Sequence, residues 1–244
     1  MAIDQALLEE SDRTGRAFLR LYRWTPPCLS FGRNEPALAR YDRAAIERLG
    51  LDVVRRPTGG RAVWHHDEVT YAVTGPVDGF GSLRSSYRVI HGWLARALRC
   101  LGVAAQLAGP PTPPSSSPAP GHRGPRETGG PCFAQAVGGE VVAGGRKLIG
   151  SAQLRQGTAF LQHGSILLNG TQQLVNRVSR RPGPAPNATT LAEVLGREVR
   201  FHEVGEAIIR VWEGGAQHAA LLQCTAIPPY RRTAFSDPAW TWRR

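Results

Sequence analysis

The stretch EVVAGGRKLIGSAQLRQGTAFLQHGSILLNG, residues 140–170, limits the possible folds more than any other. Two glycine-bearing turns, Gly144-Gly145 and Gln156-Gly157, cut it into three strand-like runs. Successive side chains of a strand point to opposite faces. On the middle run this puts Lys147, Ile149, Ser151, Gln153 and Arg155 on one face, and Leu148, Gly150, Ala152 and Leu154 on the other. The pattern predicts a three-stranded antiparallel meander with one small apolar face and one face carrying donors.

Around it, helices and strands alternate without a βαβ rhythm. Residues 1–12 read as a helix, and AFLRLYRW and CLSFG as two strands flanking Thr25-Pro26-Pro27. ALARYDRAAIERLG (37–50) reads as one helix ending at Gly50. LDVVRR reads as a strand, PTGG as a turn, and RAVWHHDEVTYAVTG as continuing strand. SLRSSYRVIHGWLARALRCLG gives a long amphipathic helix stopped by Gly102, and TTLAEVLG, with Thr190 as N-cap, and FHEVGEAIIRVWEGG give two more. The tail AFSDPAWTWRR reads as loosely structured. Such an order points to an α+β fold.

Residues 109–131, GPPTPPSSSPAPGHRGPRETGGP, hold proline and serine too densely to bury an apolar face. They predict a mobile insertion in a single domain spanning 1–244, not a domain boundary. No apolar run approaches membrane-span length, and the acidic, helical start is unlike a signal peptide, so a cytoplasmic setting is expected, with no membrane partner. Cys28, Cys100, Cys132 and Cys224 lie far apart, with no CxxC, which argues against zinc and against a disulfide framework. The formal charge of +11 calls for an acidic partner. The basic residues are spread along the chain rather than gathered on one helix; nucleic acid and acidic protein partners would both use such a field, and charge alone does not choose between them.

Three segments carry candidate chemistry. RRPTGGRAVWHHDEVTYAV (55–73) crowds Arg55, Arg56, Arg61, His65 and His66 around Gly59 and Gly60. Glycines there let backbone N–H groups approach an acyl or phosphate group, although TGG alone is equally the mark of a hairpin turn. Cys132 follows the glycine-rich segment. A free thiol is only about 3% thiolate at pH 7, and one nearby cation would raise that sharply. Lys147, fifteen residues further on, is the candidate cation. Each alone is more often a packing cysteine or a solvated lysine. Gln162-His163-Gly164-Ser165 places polar groups in an apolar strand, where they must either satisfy one another or line a site. Cys28, Cys100 and Cys224 read as packing residues.

Set together, MAIDQALL, LSFGRNE, RRPTGGRAVWHHDEVTYAV and GGRKLIGSAQLRQGTAFLQHGSILL, in that order over residues 1–170, resemble the biotin/lipoate A/B protein ligase family, lipoate–protein ligase A-like. The resemblance implies a catalytic domain similar to class II aminoacyl-tRNA synthetases, with a mixed, largely antiparallel sheet flanked by helices. Arg61 stands where ATP-dependent ligases carry a third glycine, and no C-terminal accessory domain is expected. TGGRAV, the acid–threonine–tyrosine set Glu68, Thr70 and Tyr71, and Cys132-Phe133 ahead of Lys147 are similar to the cysteine-dependent octanoyltransferases. That branch implies Cys132 as nucleophile and Lys147 at the acyl carbonyl. It implies Arg56, Gly59, Gly60, Arg61, His65, Gly150, Ser151, Ala152 and His163 as substrate-binding residues.

The implied donor is octanoyl-acyl carrier protein, and the implied acceptor is a lysine of a lipoyl domain or glycine-cleavage H protein, not a nucleic acid. Thioester exchange needs no cofactor and no metal. The alternatives are an ATP- and Mg-dependent lipoate ligase, with Lys147 on the adenylate, and a non-catalytic acyl- or lipoyl-binding protein of the same fold. The chain departs from the family pattern at Glu35 (often glutamine), at His66 (often aspartate) and in FAQAVGG (133–139), which lacks a proline-aromatic pattern.

Overall fold

The computed structural model describes residues 1–109, 133, 138–215, 219–221, 235 and 237–243. Helix α1 (Ala2–Thr14) leads into β1 (Ala17–Tyr22) and β2 (Cys28–Phe31). Short helices α2 (Ala37–Arg40) and α3 (Arg43–Arg48) follow, then β3 (Asp52–Arg55), β4 (Val63–His65) and β5 (Glu68–Pro76). A turn of helix, α4 (Val77–Phe80), precedes the long α5 (Leu83–Cys100) and β6 (Gln106–Leu107). Beyond residue 138 come β7 (Val141–Ala143), β8 (Arg146–Lys147), β9 (Ile149–Gln156) and β10 (Ala159–Leu167). They are followed by α6 (Gln173–Arg177), α7 (Leu191–Leu195), α8 (Phe201–Gly215) and β11 (Ala219–Leu221). The proline- and serine-rich insertion lies outside the described residues, save Gly109.

The main sheet runs β11-β1-β5-β10-β9, antiparallel except for β11 on β1. Its alternation decides what packs where. Val69, Tyr71 and Val73 of β5 face the large core with Ile90, Leu94 and Leu98 of α5 and Ile208, Val211 and Trp212 of α8. Ala72 turns the other way, with Leu161 and Leu8 of α1. Helices thus cover both faces, as the α+β reading requires. Helix α5 starts at Ser82, whose hydroxyl accepts from Ser85 N, and α7 at Thr190, which accepts from Glu193 N.

Four expectations need correction. The helix expected over 37–50 is two helices. Tyr41 is extended and bridges Ser179, Asp42 N donates to Val178 O, and the Asp42 carboxylate caps α3 through Ala44 N and Ala45 N. The strand expected over 61–75 is also two, β4 in a small sheet β3-β2-β4 and β5 in the main one. The meander is split as well: β8 pairs with β7 in a third sheet, and Leu148 interrupts the run before β9 joins β10. Leu148 and Ile149 are both fully buried, so strict alternation fails across the break. Finally, the described tail is structured. Asp237 caps a short helix, Pro238–Thr241, and Trp242 packs on Phe31 with ring centroids 5.4 Å apart. Cys28 is buried as expected, Cys100 is exposed, and Cys224 lies outside the described residues.

Candidate active site

Strands β9 and β10 meet with His163 opposite Ala152, Gly164 opposite Ser151 and Ser165 opposite Gly150. A Cβ on Gly164 would fall 2.5 Å from both Gly150 O and Ser151 Oγ, so only glycine allows this approach. Beside it opens a small, partly solvent-open pocket. Six of the residues expected at the site line it: Arg56, His65, Gly150, Ser151, Ala152 and His163.

Gly59, Gly60 and Arg61 do not line the pocket; they connect to it through Arg56 and, at Gly60, through Ala152, whose Cβ a Cβ there would meet at 3.8 Å. Arg56 is buried, and its guanidinium donates to Ser30 O and Oγ (2.9 and 2.6 Å) and to the carbonyls of Gly59 and Arg61 (3.1 and 2.8 Å). One side chain thus fastens the glycine bend to β2. The bend lies so close to Gly32 that a Cβ there would sit 1.9 Å from Gly60 O. Of the side chains flanking the bend, Arg55, Arg56 and His65 are buried and His66 is exposed.

The imidazoles are held rather than loose. His65 lies between Ser30 Oγ (2.6 Å, Nε2) and Glu68 Oε1 (2.7 Å, Nδ1), with Trp24 stacked on its ring. Glu68 Oε1 also accepts from Thr70 and Ser165 hydroxyls, while Oε2 has no partner among the described residues. His163 Nδ1 faces the Asp4 carboxylate at 3.3 Å, so Nε2 accepts from Thr58 Oγ1 at 2.6 Å. Burial pushes the His163 pKa down, against the pull of Asp4.

A directional chain of hydrogen bonds reaches the pocket at Ser151. His91 Nδ1 donates to Gly139 O (2.6 Å), which leaves Nε2 to accept from Ser151 Oγ (2.9 Å). Tyr71 OH then donates to Ser151 (2.7 Å) and accepts from Gln162 Nε2 (2.9 Å). Burial depresses the His91 pKa to about 4. The unfolded chain therefore binds the extra proton between about pH 6.5 and 4, and His91 stability is lost as pH falls through that window. Acidification from pH 7 to 4 is expected to cost about 3 kcal/mol at His91. Denaturant unfolding at stepped pH should show that slope, and a His91→Asn variant should flatten it.

Lys147 does not line this pocket. It is buried, its Nζ donating to Glu140 Oε1 at 2.7 Å and lying 5.3 Å from the Phe133 ring centroid. Phe133 is fully buried, and a Cβ on Gly150 would meet its ring at 2.7 Å, so the ring packs directly behind the pocket-lining strand. Cys132, the residue before Phe133, lies outside the described residues. Cys28 is no substitute nucleophile, since burial pushes its thiol up to about 12.

Residues 1–213 match the family described as the lipoyl protein ligase A/B catalytic domain. The chain belongs to that family. Its relatives include octanoyltransferase LipM of Moorella thermoacetica, 39% identical over 229 residues that cover 87% of this chain and 80% of the relative. LipM of Carboxydothermus hydrogenoformans is 40% identical over 230 residues, covering 88% and 81%. Among solved structures, a lipoate-protein ligase A bound with ATP superposes with TM-score 0.74 at 20% identity over 99% of this chain and 92% of that one. A bipartite lipoate protein ligase from Thermoplasma acidophilum gives 0.73 at 19%, covering 99% and 89%. These likenesses establish a lipoate-ligase fold, as the resemblance implied.

Beyond those six, the pocket is lined by Met1, Tyr22, Val63, Thr70, Gly164 and Ser165, of which the sequence motifs already contain all but Tyr22. Gly164 and Ser165 sat inside the polar quartet, and Thr70 sits opposite Ser165 across β5–β10. Tyr22 and Val63 gave no signal of their own, because an apolar residue beside a pocket reads like any other in a core. Glu140 was overlooked too. It lies two residues before Val142, which pairs with Lys147, and so shares its face.

Proposed function

We propose that the protein is an octanoyltransferase, moving an octanoyl group from octanoyl-acyl carrier protein through a Cys132 thioester to a lysine of a lipoyl domain or glycine-cleavage H protein. The observation that carries this reading is the buried Lys147 ammonium against the ring of Phe133, the residue joined to Cys132. Relatives bearing the octanoyltransferase name at 34–40% identity favour transfer over ATP-driven ligation.

In the first half-reaction the Cys132 thiolate attacks the donor thioester, and the carrier thiolate leaves. In the second, the neutral acceptor amine attacks the enzyme thioester, the C–S bond breaks to regenerate the Cys132 thiolate, and the nitrogen gives up one proton to solvent as the amide forms. Both steps build negative charge on the acyl oxygen, which the Lys147 ammonium stabilises. Arg56, His65, Gly150, Ser151, Ala152 and His163 form the acyl-binding wall, which Arg56 ties to the bend of Gly59, Gly60 and Arg61. One thioester is exchanged for another, so neither ATP nor a metal takes part. The setting is cytoplasmic, and the +11 charge draws in acidic carriers. Among the described residues no helix is long and apolar enough to cross a membrane.

Purified protein incubated with octanoyl-acyl carrier protein, without ATP, should gain one octanoyl group by intact-mass spectrometry and pass it to H protein. The Cys132→Ser variant should gain none. An adduct that survives this substitution, or transfer that needs ATP, would overturn the proposal.

A further inference from the structure

Lys147 is an unusual residue to bury, and the fold supplies a specific reason why it stays. The Gly144-Gly145 hairpin sets Val142 opposite Lys147, which brings Glu140 to the diagonal position on the same face. Both side chains are almost fully enclosed, at 3% and 4% exposure, with Nζ 2.7 Å from Oε1. At that depth an ammonium without a counter-charge is costly, and a carboxylate without a cation equally so.

The segment that carries Glu140 is itself fixed from α5. His91 donates to Gly139 O, the adjacent residue, and Tyr87 OH reaches Glu140 Oε1 at 3.5 Å. Backbone bonds Gly139 N→Ala108 O and Ala108 N→Glu140 O tie the same two residues to the strand-like edge after α5. The carboxylate therefore has little freedom to follow the lysine. The lysine is drawn to a carboxylate that is already in place.

We infer that Glu140 is the positioning residue of the reaction: it holds the Lys147 side chain aimed beside Phe133, and acts on the acyl group only through that lysine. The inference rests on the assignment of Lys147 to the acyl carbonyl. It extends that assignment from the lysine alone to an ammonium–carboxylate pair, with the carboxylate fixed from α5.

The test is the rate of octanoyl-enzyme formation in Glu140→Gln, Lys147→Met and the double variant, with circular dichroism to confirm folding. Glutamine keeps the shape and an acceptor oxygen but loses the charge. Glu140→Gln should slow acylation by about 10- to 100-fold, with donor KM changed by less than about 2-fold, since the missing interaction belongs to the transition state. In the Lys147→Met background the same substitution should change the rate by less than about 2-fold, because the residue it acts through is gone.

A wild-type rate in Glu140→Gln overturns the inference, as does an equal loss in both backgrounds. A wild-type rate in Lys147→Met instead overturns the lysine assignment itself, so the two failures are distinguishable. Should Glu140→Gln not fold, Glu140→Asp keeps the charge but withdraws it by one methylene. An acylation loss of at least about 3-fold is then expected, and no loss overturns the inference.

Discussion

Replacing Lys147 with alanine is expected to slow octanoyl transfer by about 100- to 1,000-fold, the usual loss when one donor to a developing oxyanion is removed. The substitution has a second, separable effect. It strips the cation from a buried carboxylate, Glu140, and opens space beside the Phe133 ring. Breaking such a pair from one side costs about 3–5 kcal/mol, whereas replacing the lysine with methionine keeps the volume and softens the packing loss. Rates of octanoyl-enzyme formation, measured alongside urea unfolding for both variants, tell the effects apart. If transfer falls only in proportion to the folded fraction, Lys147 is structural and the mechanism is wrong.

The second large effect belongs to a residue that touches no substrate. Arg55 is fully buried, and its guanidinium donates to six carbonyls: those of Gly32 (2.6 Å), Arg33 (3.2 Å), Glu35 (2.7 Å), Trp240 (2.9 Å), Thr241 (3.1 Å) and Arg243 (3.1 Å). Burial, and then the nearby Arg243 charge, lower its pKa, yet a guanidinium stays protonated in a protein. Arg55→Ala would leave these carbonyls facing a hole. The expected cost is about 3–5 kcal/mol, a fall in melting temperature on the order of 10 °C at this chain length. Arg55→Lys should recover little, because three donors on one nitrogen cannot span a planar fork. Thermal unfolding that leaves either variant within a few degrees of wild type would refute this account.

The sequence made some of this structure legible and hid the rest, for identifiable reasons. Helices α5, α7 and α8 were readable because caps and apolar spacing are local properties of the chain. The break at Tyr41 was not, since it depends on Ser179 and Val178, which are distant in sequence. Nor was the change of sheet at Leu148, where an unbroken strand pattern conceals a bend. At the site, polar residues inside an apolar strand flagged His163 and Ser165, because burying them demands partners, whereas Ser151 came only with the family resemblance. Glu140 sits at the head of a plain strand, and its meaning emerges only once the hairpin register is known. The tail reads as loosely structured because aromatic residues between prolines and arginines show no period, although Trp240 Nε1 donates to Arg55 O and Trp242 stands against Phe31.

That last contact has a temporal side. Arg55 and Trp240 are 185 positions apart, so a nascent chain emerging from the ribosome exposes the arginine long before three of its six carbonyls, those of Trp240, Thr241 and Arg243. Loop closure over such a span comes late. The segment around Arg55 therefore gains its full support only once residues 240–243 have been made, and a product interrupted before them would carry that segment without its brace.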